Sequence, residues 1–416
     1  MDDEPTIKLK KDPAQSAQLP SIPQTDANPV APRPFRVIPE TPYSPFLLKG
    51  KKRRKASPLR IALTIFLTFI ILVGGALAIG YIFYYKNIQQ PVSQFIRPVS
   101  RGSDEPQLNT TPSYDAIDGR SWNLLLLGSD NDNKYTFPAV LTQVMMVVHV
   151  DTVNKTVSMV SIPRDSWVSV PEIGGMHKID QAFFLGVNQH SKFEDGVRSA
   201  RLTIEQDYGI PIDRYAWIGL SGFARVIDTL GGVDIDVTHP VVDDNYPDDT
   251  GKGTDPNNPY AYKRLYIPPG PQHMDGLQAL DYVRSRHSDL VGDIGRTLRQ
   301  QQILEALKKK LNVSSVITHL SDLLKDMSGQ VYTDLSEQEM LAFANFGRTL
   351  DSQSINRLTL GPGSGSQDFG QYASVYDPSA GSNQDVIIPN CANIQPAISR
   401  IFQSGFFGGC NVTTTG

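Results

Sequence analysis

Arg284, Arg286, Arg296 and Arg299 fall within one short stretch, DYVRSRHSDLVGDIGRTLRQQQ, interleaved with aspartates. Arginine is suited to phosphate because its planar fork meets two oxygens at once and keeps its charge at any ordinary pH. Arg284 and Arg286 are two residues apart. They would not share a face of a regular helix, but they would on an extended or fraying end. Arg296 and Gln300 are four apart and do share a helical face. Asp293 is expected at the start of that same helix, where backbone N–H groups and the helix dipole attract anions. A phosphate monoester hardly needs so many arginines, whereas a diphosphate does. The plain alternative is a solvated basic helix face, which sits poorly with Gly292 and Gly295 on either side of Asp293.

Two further segments carry similar chemistry. In NLLLLGSD, Asp130 stands where the chain leaves a short, fully apolar run. That is the usual place for site residues in an open α/β sheet, and a carboxylate there is a natural ligand for Mg²⁺. An ordinary turn aspartate capping its own backbone is the alternative. In SIPRDSW, Arg164 follows Pro163 at the end of another apolar run, with Asp165 beside it to orient the guanidinium; an idle surface pair is the common fate of such neighbours.

The elements that must position these residues follow from periodicity. NLLLLGSD, TQVMMVVHVD and KTVSMVSIP read as strands, the last two joined through DTVNK as a hairpin. The stretch from DQAFF to Gly209 has helical character, with Gly209 as its terminator. YAWIGL is a strand, SGFARVIDTLGG a helix capped by Ser221, and VDIDV a half-exposed strand. Residues 239–271 are rich in Pro, Asp and Gly and are expected to be loop in large part. HMDGLQALDYVRSRH and the run from Ile294 to Leu311 are expected helices. Strands interleaved with helices predict a layered α/β/α sandwich around a central mixed sheet.

Ahead of this domain, residues 1–48 have the composition of a disordered tail, and residues 49–60 are densely basic. Residues 61–85 carry no charge and exceed the roughly 20 apolar residues needed to span a bilayer. A basic flank before the span keeps the N-terminus cytoplasmic and sends the rest outside a cell membrane crossed once. Residues 86–118 then read as a linker. Cys391 and Cys410 both fall in the exported part, where pairing into one disulfide is expected, two unpaired thiols being the alternative. The net charge of −4 gives no bulk attraction to nucleic acid. No serine elbow, P-loop or dinucleotide fingerprint appears, and the histidines lack metal-ligand spacing.

Taken together, LLLLGSD, VSMVSIPRDSWV, GMHKIDQAF, GIPIDRYAWIGLSGFARVIDTLGGVDIDV, PGPQHMDGLQALDYVRSRH and GDIGRTLRQQQIL resemble the LytR-CpsA-Psr (LCP) family, in family order from about residue 121 to 305. The resemblance implies a catalytic domain at residues 119–365, followed by a C-terminal extension at residues 366–416. It implies a membrane-anchored phosphotransferase that moves a glycopolymer from polyprenyl diphosphate onto peptidoglycan through a phosphodiester. The lipid tail is expected in an apolar tunnel and the diphosphate at an arginine-lined mouth with Mg²⁺. Asp130 corresponds to the metal-binding aspartate after the first strand. Arg164, Arg284 and Arg286 correspond to the diphosphate arginines, and Asp293, Arg296 and Gln300 to polar residues opening the next helix. Asp130 or Asp293 would serve as base toward the acceptor hydroxyl. One departure stands out. Where the family has an arginine and a second metal-binding aspartate, this chain has Leu141 and Gln143. Gln143 can offer only a neutral oxygen to Mg²⁺, and Asp132 is a nearby carboxylate. A diphosphate hydrolase and a non-catalytic lipid-diphosphate binder or regulator are the competing functions.

Overall fold

The structure, a computed structural model, describes residues 76–103, 105, 117, 119–130, 137–247, 262–286, 292–310, 329–378, 380–402 and 409–412. All lie in one compact unit, Thr68–Gly416. The strands are β1 (Ser121–Ser129), β2 (Thr142–Asp151), β3 (Thr156–Ile162), β4 (Trp167–Ser169), β5 (Met176–Lys178), β6 (Arg214–Gly219), β7 (Val233–Val237), β8 (Val241–Pro247), β9 (Tyr262–Ile267), β10 (Gly270–Met274), β11 (Val331–Thr333), β12 (Ile355–Thr359), β13 (Gly370–Asp377) and β14 (Ser382–Pro389). The helices are α1 (Gln90–Phe95), α2 (Ala182–His190), α3 (Phe193–Tyr208), α4 (Leu220–Thr229), α5 (Gly276–Arg284), α6 (Gly292–Lys310), α7 (Glu337–Thr349) and α8 (Cys391–Ile401).

Six strands form the central sheet in the order β11-β6-β1-β2-β3-β12. β1 and β6 are parallel, as are β3 and β12, while β2 runs antiparallel to both β1 and β3. The sheet is therefore mixed, as expected. Helices cover both faces. On one, Leu125, Met145, Val147 and Tyr215 pack against Phe183 and Val187 of α2, Val197 and Ile204 of α3, and Ile394 and Ile398 of α8. On the other, Met146, Val150 and Met159 meet Leu304 of α6 and Phe343 and Phe346 of α7. The unbroken Leu124–Leu127 run is what such two-sided burial demands of a central strand.

Several local expectations need correction. The helix expected from DQAFF to Gly209 is two helices, because Ser191 adopts a left-handed conformation (φ 62°) between α2 and α3. The chain folds back there, and the two helices touch through glycines. A Cβ on Gly186 would lie 2.5 Å from the Ser199 Cβ, and one on Gly196 would lie 2.5 Å from Val187 Cγ2. Ser221 is not a cap; α4 already begins at Leu220, with Gly219 in the capping position and no side-chain cap. Residues 239–271, expected to be mainly loop, contain β8, β9 and the start of β10, with β8 and β9 paired as a ribbon. Asp244 in this two-stranded ribbon, and Pro268 and Pro269 directly after it, are exposed, so composition concealed the pairing.

Residues beyond 365 also join the main body. Phe369, Ile394, Ile398 and Phe402 belong to the principal core, and the Ile387 N–H donates to the Asp165 carbonyl at 2.8 Å. A disulfide joins Cys391 to Cys410. At the other end, the expected membrane span lies outside the described residues up to residue 75. Residues 76–84 are helical, with Leu77, Ile79, Tyr81 and Phe83 exposed. No helix among the described residues is long and apolar enough to cross a membrane. Within the stretch expected to be a linker, α1 buries Val92 and Phe95.

Candidate functional site

Because β1 and β3 run one way and β2 the other, the end of β1, the start of β2 and the end of β3 reach the same edge of the sheet. Asp130, Gln143 and Arg164 come from those three positions and line one cavity of about 1000 Å³. Arg284, Arg286, Arg296 and Gln300 line it too, from the end of α5 and the first turns of α6. The cavity thus opens beyond the carboxyl ends of parallel strands, where open α/β sheets place ligands. Its inner wall is apolar, built from Leu126, Met146, Phe223, Leu280, Ile303 and Leu307.

Gln143 points into the mouth for a local reason. Gly128 pairs with Val144 and Ser129 with Thr142, which leaves Gln143 as the extra residue of a β-bulge. A bulge re-aims the side chain it carries. The crossing is close: a Cβ on Gly128 would lie 2.9 Å from Val144 Cγ2. Asp130 is held across the same gap, its N–H donating to the Leu141 carbonyl at 3.1 Å and its Oδ1 accepting from the Leu141 N–H at 2.8 Å.

The Gln143 side chain is the hub. Its Oε1 accepts from Arg164 Nη1 at 2.7 Å and from Arg286 Nη2 at 3.2 Å, and its Nε2 donates to Asp130 Oδ2 at 3.4 Å. Two arginines 122 residues apart therefore meet on one atom. Asp165 orients Arg164 as expected, with Nε at 3.4 Å from Oδ2, and also binds Lys178 Nζ at 2.8 Å. Burial opposes its ionisation, yet Arg164, Lys178 and Arg296 hold the Asp165 carboxyl below the usual carboxylate range. Behind it, burial pushes Asp180 up to about 7, with Arg164 pulling against the rise and Asp165 adding to it.

Arg284 ends α5, and Ser285 then turns extended (φ −56°, ψ 136°), so both arginines of the pair reach the cavity. Two residues fix this turn: Asp243, which the sequence did not single out, and Arg299, which it grouped with the phosphate arginines. Buried Asp243, in β8, accepts through Oδ2 from Ser285 Oγ at 2.8 Å and from the Arg286 N–H at 3.0 Å. Arg299 is buried and donates to the carbonyls of Tyr282 at 2.8 Å and Ser285 at 2.5 Å. It satisfies the helix terminus and serves the scaffold. Arg284 also lies over the Tyr246 ring, at 5.7 Å from its centroid. The two-residue spacing of Val241 and Asp243, both buried, was the signal available for Asp243, and an irregularity in the strand breaks that alternation before Tyr246. Asp293 sits in the first turn of α6. His287 and Asp132 lie outside the described residues.

A shared Mg²⁺ does not fit Asp130 and Gln143 as they stand. Their facing atoms are a carboxylate oxygen and an amide nitrogen. The amide oxygen that a hard cation would need is turned to two guanidinium groups instead. Among the described residues, no group of three His, Cys, Asp or Glu side chains could hold a metal ion.

Residues 82–387 match the LytR_cpsA_psr family. The chain is 33% identical over 218 residues to the polyisoprenyl-teichoic acid–peptidoglycan teichoic acid transferase TagV of Bacillus subtilis, covering 52% of this chain and 50% of that protein. It is 27% identical over 276 residues to the corresponding transferase TagU of Bacillus cereus, covering 66% of this chain and 80% of the relative. Among solved structures, that of Bacillus subtilis TagV aligns with a TM-score of 0.50 at 26% identity, over 68% of this chain and 96% of that one.

Proposed function

This chain belongs to the LytR_cpsA_psr family, and from that premise we propose that it is a membrane-anchored phosphotransferase acting outside the cell. It takes a glycopolymer linked to polyprenyl diphosphate and attaches it to peptidoglycan through a phosphodiester. The observation that carries this is the convergence of Arg164, Arg284, Arg286 and Arg296 at the mouth of one cavity whose inner wall is apolar. A diphosphate with a long hydrocarbon tail has that same division. The volume, about 1000 Å³, is at the upper end for ligand pockets. The relatives' names, which specify polyisoprenyl-linked teichoic acid and peptidoglycan, support the same donor and acceptor classes.

The acceptor hydroxyl attacks the phosphorus that bears the glycopolymer. A new P–O bond forms, the bond to the bridging oxygen breaks, and polyprenyl phosphate leaves. The hydroxyl proton passes to a carboxylate, Asp130 or Asp293. Phosphoryl transfer asks mainly for positioning and neutralisation of charge, and the four guanidinium groups supply both. Anchoring by residues 61–85 would raise the effective concentration of a lipid-borne donor, and the exposed apolar side chains of residues 76–84 support it.

The test uses full-length protein in lipid nanodiscs with a lipid-linked glycopolymer donor and peptidoglycan fragments. Polymer joined to the acceptor, with polyprenyl phosphate released in equal amount, is expected. Donor cleavage without coupling would make the protein a hydrolase, and donor binding without turnover a receptor.

A further inference from the structure

We infer that Gln143 is a positioning residue whose amide clasps Arg164 and Arg286 to Asp130, so that the site grips a diphosphate without a divalent cation shared between Asp130 and Gln143. This rests on the diphosphate-binding function proposed above. Every polar atom of the Gln143 side chain is engaged: the oxygen by Arg164 at 2.7 Å and Arg286 at 3.2 Å, the nitrogen toward Asp130 at 3.4 Å.

The neighbours fix which way the amide faces. Turned over, it would press an NH₂ donor against two guanidinium donors and a carbonyl oxygen against a carboxylate, losing three contacts and creating repulsion in their place. A cation bridging Asp130 and Gln143 requires that reversed orientation. Binding such a cation would therefore release Arg164 and Arg286 from the point where they meet. The β-bulge makes the arrangement structural, since Gln143 is the unpaired residue that Gly128 and Ser129 leave out of the ladder.

The chemistry of the choice is one of charge. A carboxylate at position 143 would stand opposite Asp130, and two carboxylates that close resist joint ionisation unless a cation lies between them. The amide avoids that repulsion and still collects both arginines. Neutralisation of the diphosphate then falls to guanidinium groups, whose charge does not depend on metal supply.

The experiment is calorimetric titration of the full-length protein in nanodiscs with geranyl diphosphate, in excess Mg²⁺ and separately in excess EDTA. For the parent, equal affinity within about twofold is expected in both buffers, since charge-assisted contacts from arginine do the binding. Gln143→Ala should weaken binding by about tenfold in both, the order expected when two such contacts lose their organiser. Gln143→Glu, which places a second carboxylate beside Asp130, should bind well in Mg²⁺ and about tenfold worse in EDTA. Melting temperatures of both variants close to the parent separate this from unfolding. A parent that binds only with Mg²⁺ overturns the inference while leaving the diphosphate function standing. So does a Gln143→Ala protein that binds like the parent, or a Gln143→Glu protein indifferent to Mg²⁺. No binding in either buffer overturns both.

Discussion

Along β1, β2 and β6, Leu125, Met145, Val147 and Tyr215 point to the face where α2 and α3 lie and are all but sealed. Their alternate neighbours Leu126, Val144, Ala216 and Ile218 point the other way and line the cavity. The strands are the same and the side chains are equally apolar. What differs is what stands opposite. Two helices drawn together by Gly186 and Gly196 fill the first face. On the second face, α4, α5 and α6 pack among themselves around Ile227, Ala279 and Ile303, leaving a hollow between that cluster and the sheet. Apolar surface alone therefore does not make a site; it becomes one where the covering layer has a core of its own.

The largest effect should come from the filled face. Phe183 is fully buried and makes edge and stacked contacts with Phe193 and Trp217, at 5.3 and 6.3 Å between ring centroids. Phe183→Ala should cost about 3–5 kcal/mol of stability, measured by denaturant unfolding, because so tight a layer cannot collapse into the cavity. A loss under about 1 kcal/mol would mean that this face is looser than its burial implies.

Next comes the mouth. Arg286 is exposed and leans on Gln143. Arg286→Ala should lower the proposed glycopolymer transfer by about 10²–10³-fold, as removal of a transition-state charge partner does, with the melting temperature unchanged. An equal fall in stability would assign Arg286 to the scaffold, the role held by Arg299.

These residues also mark how far the sequence could be read. One cavity gathers Asp130, Arg164, Arg284, Arg286, Arg296 and Gln300, positions that residue type and the family resemblance together had singled out. Four strands of the central sheet, β1, β2, β3 and β6, were legible from their apolar runs, whereas its edge strands β11 and β12 were not foreseen. Three further things were not. The division between Arg284 and Arg299, one facing the cavity and one tying down the α5 terminus, depends on tertiary direction rather than residue type. The orientation of Gln143 depends on a bulge, which has no sequence period of its own. The β8–β9 ribbon and the packing of residues beyond 365 depend on contacts distant in the chain; Asp165 and Ile387, 222 residues apart, share a backbone hydrogen bond.

A smaller effect should sharpen the contrast between wall and mouth. Ala216 lies on the cavity side of β6, between buried Tyr215 and Trp217. Ala216→Phe would fill the hollow with a side chain of the wall's own character. Affinity for a long-chain polyprenyl diphosphate should fall about tenfold, roughly the transfer energy of a few displaced methylenes. Inorganic diphosphate, which would reach only the arginines of the mouth, should bind as before. Titration of both ligands against the one variant tests whether the two halves of the cavity act separately; equal losses would show that they do not.

The smallest effect concerns a liability on the filled face. Asp207, near the end of α3, is buried, and burial raises its carboxyl to about 7, with a backbone hydrogen bond from Ser169 acting in the opposite direction. In the unfolded chain the same group titrates near 3.9. Between these values the folded protein holds a proton that the unfolded chain has released, so stability must fall as pH rises from about 4 to about 7 and level off above. Asp207→Asn removes this dependence, because an amide of the same shape has no proton to lose. The variant should match the parent at pH 4 and be the more stable of the two at pH 8, by up to a few degrees in melting temperature. Equal pH profiles for the two proteins would mean that water reaches Asp207, and that the filled face is less completely sealed at the end of α3 than at Phe183.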